Sequence, residues 1–418
     1  MTGRAALAAL LADRAVARAL AVLDGDGEET RIVGGAVRNA LIGLPKTDID
    51  LATTATPDVV MQRAKDAGLR CVPTGFEHGT VTVIVAGRPF EVTSLREDVE
   101  TDGRRAKVRF GRDFDADARR RDFTINSMSL TRDGALHDPL GGEADLAARR
   151  VRFIGDADAR IAEDYLRVLR FFRFHAAYGE GPLDREGLSA AIRGRAGLER
   201  LSAERVRAEL LKLLAARRGP EVAQEAAQAG LLAFAFAGVS HGARLARLAA
   251  IEAARERGAD PVLRLAAFAV LVREDADRLR DRLRLSNAEY RRLHGAAGAL
   301  ETLHGRAAPP QGAELAELVF ARGADAVLDA LALAHAESGA APGDAAWLGA
   351  YPAADALREL KLPVRGEDLK QRGVVEGRAI GATLKTLQAK WIRAGFPRDP
   401  AEITRLIDEA IADVPEAR

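Results

Sequence analysis

The feature that most constrains this chain is a change of hydrophobic period near Asp156. Before it, short apolar runs alternate with helical stretches. After it, strand signals nearly vanish and apolar positions recur at helical spacing. Residues 5–22 read as one helix, Arg31-Ile32-Val33 as a strand ending at Gly34-Gly35, 36–43 as a helix and 48–52 as a strand. A helix over 57–67 opens at Thr56-Pro57, with Thr as N-cap and Pro in the first turn. Runs 80–86 and 89–95 flank Gly87-Arg88 as a β-hairpin. The charged, aperiodic stretch 96–113 reads as a mobile loop, and 123–131 and 151–154 as further strands. Helices follow at 160–178, 202–217, 220–237, 243–256, 262–271 and 274–283, with loops at Pro309-Pro310 and Gly339–Gly343. A chain of 418 residues exceeds one ordinary core. The expected architecture is an α+β head followed by an all-α elongated body and tail. Its divisions fall at 1–150 (head), 151–217 (helical neck), 218–300 (helical body) and 301–418 (helical tail).

Composition narrows the function classes. With 48% hydrophobic and 29% charged residues the chain reads as a soluble globular protein. The net charge of +1 gives no bulk argument for nucleic acid, so any RNA contact rests on local basic surfaces. One cysteine, Cys71, excludes an internal disulfide framework and fits a reducing compartment. No apolar run approaches the roughly 20 residues of a membrane span, and the N-terminus, with Arg4, Asp13 and Arg14 among alanines, reads as an amphipathic helix rather than a signal peptide. A cytoplasmic protein is expected.

The chemistry concentrates in Gly34-Gly35-Ala36-Val37-Arg38 followed by Asp48-Ile49-Asp50. On a strand, residues i and i+2 point to one face, so Asp48 and Asp50 would present two carboxylates side by side. Two like charges there call for a cation, and Mg²⁺ prefers carboxylate oxygens together with substrate phosphates. Gly34 and Gly35 let backbone approach a phosphate, the following helix start offers N–H groups, and Arg38 can add a charge-assisted contact. A lone Asp-x-Asp is more often a turn or surface pair. Strand, Gly-Gly, helix, then Asp-x-Asp a dozen residues later is far more specific.

This block resembles the signature of the DNA polymerase β nucleotidyltransferase superfamily. Gly-Gly-x-Val-Arg plus Asp-x-Asp is similar to its class II branch of CCA-adding enzymes and bacterial poly(A) polymerases. One departure is visible: members usually carry Asp after the Arg, and here it is Asn39, which accepts a hydrogen bond without charge. Glu91, in mid-strand, is either a third metal-site acid or a positioning or solvent-facing one. Arg120-Arg121-Asp122-Phe123-Thr124-Ile125-Asn126 resembles the family's second motif. There Asp122 can accept from ribose hydroxyls, while Arg121 and Asn126 can reach sugar and triphosphate. Glu163-Asp164-Tyr165-Leu166-Arg167 resembles the base-selecting motif. Asp164 and Arg167, three apart on one helix face, are implied to match the pairing edge of C and A, with Arg170 and Arg173 reaching phosphates. Asp138–Gly142 and Asp145-Leu146 read as a loop without chemistry. Glu204–Glu209 reads as a structural buttress of the base-selecting helix. Ser286 with Glu289 forms a capping box. Around Leu362–Trp391, glycines with Lys385, Lys390 and Arg393 either meet an RNA backbone or serve helix packing.

The resemblance implies template-independent addition of CCA to the 3′ end of tRNA from CTP and ATP, with Mg²⁺ at Asp48 and Asp50, and tRNA as the partner. No protein partner is inferred. CC-only addition, A-only addition and polyadenylation are alternatives within the family. The loop at 96–113 argues against CC-only addition, because CC-adding members tend to lack such an element. A catalytically inactive RNA-binding protein is the alternative from a different class, against which the retention of both aspartates counts.

Overall fold

The computed structural model describes residues 3–45, 48–97, 109–374 and 377–414. Two compact units emerge. The first comprises Met1–Glu209, Ala216–Val222 and Ala229–Phe234, and the second Leu210–Ala215, Ala223–Gln228 and Ala235–Arg418.

In the first unit, helices α1 (Gly3–Leu11) and α2 (Arg14–Leu23) precede β1 (Thr30–Val33), α3 (Gly35–Leu41) and β2 (Asp50–Thr53). Then come α4 (Pro57–Asp66), β3 (Arg70–Gly75), β4 (Thr80–Val85) and β5 (Arg88–Ser94). After these lie β6 (Arg96–Glu97), β7 (Arg109–Phe110), α5 (Phe114–Arg120), β8 (Ser129–Leu130) and β9 (Leu136–His137). Seven strands form one sheet in the order β3-β4-β5-β2-β1-β8-β9. Its β2–β5 pair is parallel and its other pairs antiparallel. Helices α6 (Gly142–Ala147), α7 (Ala157–Glu163), α8 (Leu166–Tyr178), α9 (Arg185–Gly194) and α10 (Ala203–Ala215) follow. Inward residues Ile32, Leu51, Val81, Val83, Phe90 and Val92 are at most 1% exposed and build the head's core.

Several expected elements break where polar caps intervene. The single helix over 5–22 is two, because Asp13 accepts from the N–H groups of Ala15 and Val16 and starts α2. The helix over 160–178 is likewise two, and the helix over 220–237 is interrupted around Gly230, where φ is +72°. The strand over 123–131 survives as β8 plus a single bridge of Phe123 to Phe153, which is also all that remains of the 151–154 strand. A 3₁₀ turn, Thr124–Asn126, fills the space between. The hairpin turn is Ala86-Gly87, one residue earlier than expected, and Arg88 already pairs with Val85. Thr56 sits at the N-cap of α4 without a side-chain cap bond. The stretch 96–113 begins and ends in the paired β6–β7 ribbon; its residues 98–108 lie outside the described residues.

The second unit is helical. Trp391 anchors a cluster with Leu369, Leu387, Phe396, Leu406 and Ile407, and its indole N–H donates to the Pro397 carbonyl at 2.8 Å. Lys390 pairs with Asp413 at 2.9 Å and Glu409 at 3.4 Å. Lys385 and Arg393 are exposed. Ser286 caps the helix Asn287–Leu300 with the reciprocal Glu289 bond.

Candidate active site

Strand β2 starts at Asp50, and Asp48 precedes it. Both aspartates are exposed while Ile49 between them is 2% exposed, so the alternation puts both carboxylates on one side. Across the parallel pair, Glu91 is the register partner of Asp50, which settles its face: it lies beside the acid pair. Although Asp50 keeps an exposed edge, the surrounding protein partly desolvates its carboxyl and pushes it above the usual range, and the negative charges of Glu91 and Asp48 add to this against the pull of Arg121. Among the described residues no three or more acidic, histidine or cysteine side chains are gathered tightly enough to hold a metal ion. The chemistry of the aspartate pair suits a hard divalent cation, which takes carboxylate oxygens together with substrate phosphates and so needs no cage closed by the protein alone.

Gly34 joins β1 to α3. Its φ of +64° is open to glycine, and an added Cβ would lie 2.9 Å from the Arg121 guanidinium. Arg121 thus lies over the Gly-Gly turn, held by Asp117 at 3.0 Å and by the Asn126 carbonyl at 3.3 Å. Gly35 opens α3. The second glycine whose smallness is used is Gly142, where a Cβ would lie 2.2 Å from the Thr124 carbonyl. The stretch read as a chemistry-free loop therefore backs the 124–126 turn. Asp138 accepts from the Gly142 and Glu143 N–H groups, and buried Asp145 binds Thr124, Arg150 and Arg152.

Five residues expected to reach the nucleotide, Arg38, Asp122, Asn126, Arg170 and Arg173, are engaged inside the protein. Arg38 is 6% exposed. It donates to Asn126 Oδ1, to Tyr178 Oη at 2.6 Å and, through Nε and Nη2, to Asn39 Oδ1 at 3.1 and 3.0 Å. Asn39 meets both nitrogens with one amide oxygen. Burial, with Arg173 adding, lowers the pKa of Arg38 despite the favourable Tyr178 and Asp122. Asp122 is 7% exposed. One oxygen accepts from Phe123 N at 2.9 Å and Asn126 Nδ2 at 2.8 Å, and the other from Arg170 Nε at 2.7 Å and from Arg170 Nη2. A ribose hydroxyl would have to displace one of these donors. Burial raises the Asp122 carboxyl, but Arg170 and Asn126 outweigh it and hold it below the usual range. Arg173 is bound to Glu209. Arg38 is buried, Arg170 and Arg173 only partly so, and here each is held by partners within the chain.

The base-selecting pair differs from the helical expectation. Asp164 is extended, with φ −155°, between α7 and α8. It accepts from Leu166 N at 3.1 Å and from Arg205 Nη2 at 2.7 Å. Arg167, the second residue of α8, donates to Glu163 and to the Arg160 carbonyl at 2.9 Å. The two share the N-terminal end of α8 but not a helix face. Arg205 and Glu209, both on α10, confirm the buttress and do more than stiffen it: each holds a motif side chain. Tyr178 was missed outright, as was the internal engagement of Arg38.

A seven-stranded mixed sheet with adjacent acids after a Gly-Gly helix start, carrying a helix with Arg167 beside it, defines the head of a nucleotidyltransferase. Residues 30–152 match the family described as the Poly A polymerase head domain, and residues 186–241 the one described as "Probable RNA and SrmB- binding site of polymerase A". The mouse protein named CCA tRNA nucleotidyltransferase 1, mitochondrial, is 34% identical over 402 residues, covering 91% of this chain and 87% of that one. A CCA-adding enzyme of Leuconostoc citreum is 38% identical over 214 residues, about half of each chain (51% and 52%). The solved Bacillus stearothermophilus CCA-adding enzyme in complex with CTP shares the fold at TM-score 0.73 and 24% identity, covering 96% of this chain and 98% of its own. The chain belongs to the CCA tRNA nucleotidyltransferase family.

Proposed function

We propose that this protein adds CCA to the 3′ end of tRNA, taking CTP and ATP as substrates without a nucleic acid template. The observation that carries the reading is the placement of Asp48, Asp50 and Glu91 on one face of the sheet, beside Arg121 and the Gly34 turn, in a chain similar over most of its length to a named CCA tRNA nucleotidyltransferase. The RNA 3′-hydroxyl attacks the nucleotide α-phosphate, that P–O bond forms, and the bond to pyrophosphate breaks. Asp48 and Asp50, with Glu91 next to them, would hold Mg²⁺. Bound there, the ion supplies charge neutralisation for the leaving pyrophosphate and acidifies the attacking hydroxyl. Backbone at Gly34 and Gly35 with the Arg121 guanidinium orients the triphosphate.

Asp164 and Arg167 read the base. Their present partners, Arg205 and Glu163, are donors and acceptors of the kind a base edge offers, so the base replaces them rather than filling an empty slot. Asp122 and Asn126 frame the sugar. The head, neck, body and tail at 1–150, 151–217, 218–300 and 301–418 remain our functional division, with tRNA on the tail. We place the reaction in the cytoplasm on the strength of the lone Cys71; no helix among the described residues is long and apolar enough to cross a membrane.

The test is incubation of the protein with tRNA lacking its last three nucleotides, Mg²⁺, and CTP or ATP separately and together. Two C followed by one A is expected. A long A tail would instead make the protein a poly(A) polymerase, and absence of incorporation a binding protein. Asp48→Ala should abolish incorporation while tRNA binding, read by gel shift, persists; undiminished incorporation by that variant defeats the metal role.

A further inference from the structure

Helix α8 carries Arg170, Phe174 and Tyr178 at four-residue spacing, one stripe on the helix. From Arg170 a chain of hydrogen bonds leaves the helix to Asp122, passes to Asn126 Nδ2, from Asn126 Oδ1 to Arg38, and returns through the Tyr178 oxygen. Both ends of this circuit lie on α8, two turns apart. Its direction is dictated by chemistry. Arg38 can only donate, so it pins the Asn126 amide oxygen, and the amide NH₂ must then face Asp122. The Phe174 ring sits inside the circuit, with the guanidinium carbons of Arg38 and Arg170 each 5.2 Å from its centroid and that of Arg173 at 4.1 Å. The Tyr178 ring lies 4.0 Å from the Arg38 guanidinium. A buried cation held by the amide oxygens of Asn39 and Asn126, a phenol oxygen and aromatic faces is costly to rearrange, so one arrangement is favoured.

We infer that Tyr178 is a positioning residue for base choice. By closing the circuit it fixes the rotation and height of α8 against the 121–126 segment, and so fixes Arg167, one turn before Arg170, relative to the sugar and phosphates. The inference rests on the base-reading role of Arg167 proposed above. Loss of the phenol oxygen leaves the Arg38 donor unmatched and lets α8 shift, which costs discrimination more than it costs turnover.

The experiment uses the full chain, tRNA lacking its last three nucleotides, and CTP against UTP as competing substrates. Tyr178→Phe keeps the ring and removes the oxygen. Its melting temperature should fall less than that of Tyr178→Leu, while the kcat/KM ratio of CTP to UTP falls about tenfold, the size expected of one hydrogen bond to a charged group. Tyr178→Leu should lose both selectivity and melting temperature. Full selectivity in Tyr178→Phe with a lowered melting temperature only in Tyr178→Leu would assign the residue to packing and overturn the proposal. Arg167→Ala separates the two levels. If it collapses the ratio while Tyr178→Phe leaves it intact, the positioning inference fails alone. If Arg167→Ala leaves the ratio intact, the base-reading role fails and the inference with it.

Discussion

At the scale of single residues, the site is built from small geometric necessities. Gly34→Ala would place a side chain at a φ of +64°, and its Cβ 2.9 Å from Arg121. With ψ at −121° this lies outside the left-handed helical well, and such a sparsely populated conformation costs a non-glycine residue on the order of 1–3 kcal/mol, so a lower melting temperature is expected. Displacement of Arg121 should also raise the KM for both CTP and ATP; unchanged KM values would show that Arg121 does not meet the triphosphate. Asn39→Asp is the opposite case. Its single oxygen accepts from two Arg38 nitrogens, and a charged acceptor strengthens such bonds by roughly a factor of two, so the variant should melt higher than the parent by thermal scan. These residues also mark what sequence can reveal. Asp48 and Asp50 were legible because a strand's period of two is local. Glu91 stayed ambiguous because its partner Asp50 is set by a parallel pairing across a crossover. Tyr178 carried no local signal, since its partner Arg38 is 140 positions away, and the burial of Arg38 cannot be read from a side chain that is usually exposed.

At the scale of elements, helices were legible and their ends were not. Apolar periodicity runs unbroken through Asp13 and through Asp164 because the helices on either side face the same interior, so a window sees one helix where two exist. The break at Asp164 matters for function: a continuous helix would have stacked Asp164 under Arg167, whereas the extended backbone turns its carboxylate toward Arg205. The capping box at Ser286 was legible because both of its bonds are local. It also provides a clean stability test away from the chemistry. Ser286→Ala removes the bond from the Glu289 N–H and should cost about 1 kcal/mol in denaturant unfolding, with CCA incorporation unchanged. An equal loss of incorporation would couple this helix to the reaction.

For the whole molecule, stability should depend on pH through histidines that folding keeps neutral. His175 in the first unit and His241 and His335 in the second have their pKa values lowered, in each case chiefly by burial, with the positive charge of Arg218, Arg244 or Arg247 adding. A histidine whose folded pKa lies below its unfolded value binds more protons when unfolded, so stability rises with pH across that window. The contribution is complete above an unfolded pKa of about 6.5 and is lost as pH falls from there through the folded values. The carboxylates held low by arginines and by hydrogen bonds, Asp122 in the first unit and Asp260 and Asp275 in the second, act the same way in a more acidic window, below about pH 4. Thermal scans should therefore show a first decline in melting temperature as pH falls below about 6.5 and a steeper one below about 4. His175→Gln and His335→Gln, one variant per unit, should each flatten the first decline even if their melting temperatures at pH 7.5 are lower. The slope against pH is the readout because it is blind to a uniform packing loss: a flat profile in the parent, or slopes unchanged in both variants, would show that these buried imidazoles do not set the acid limit of the fold.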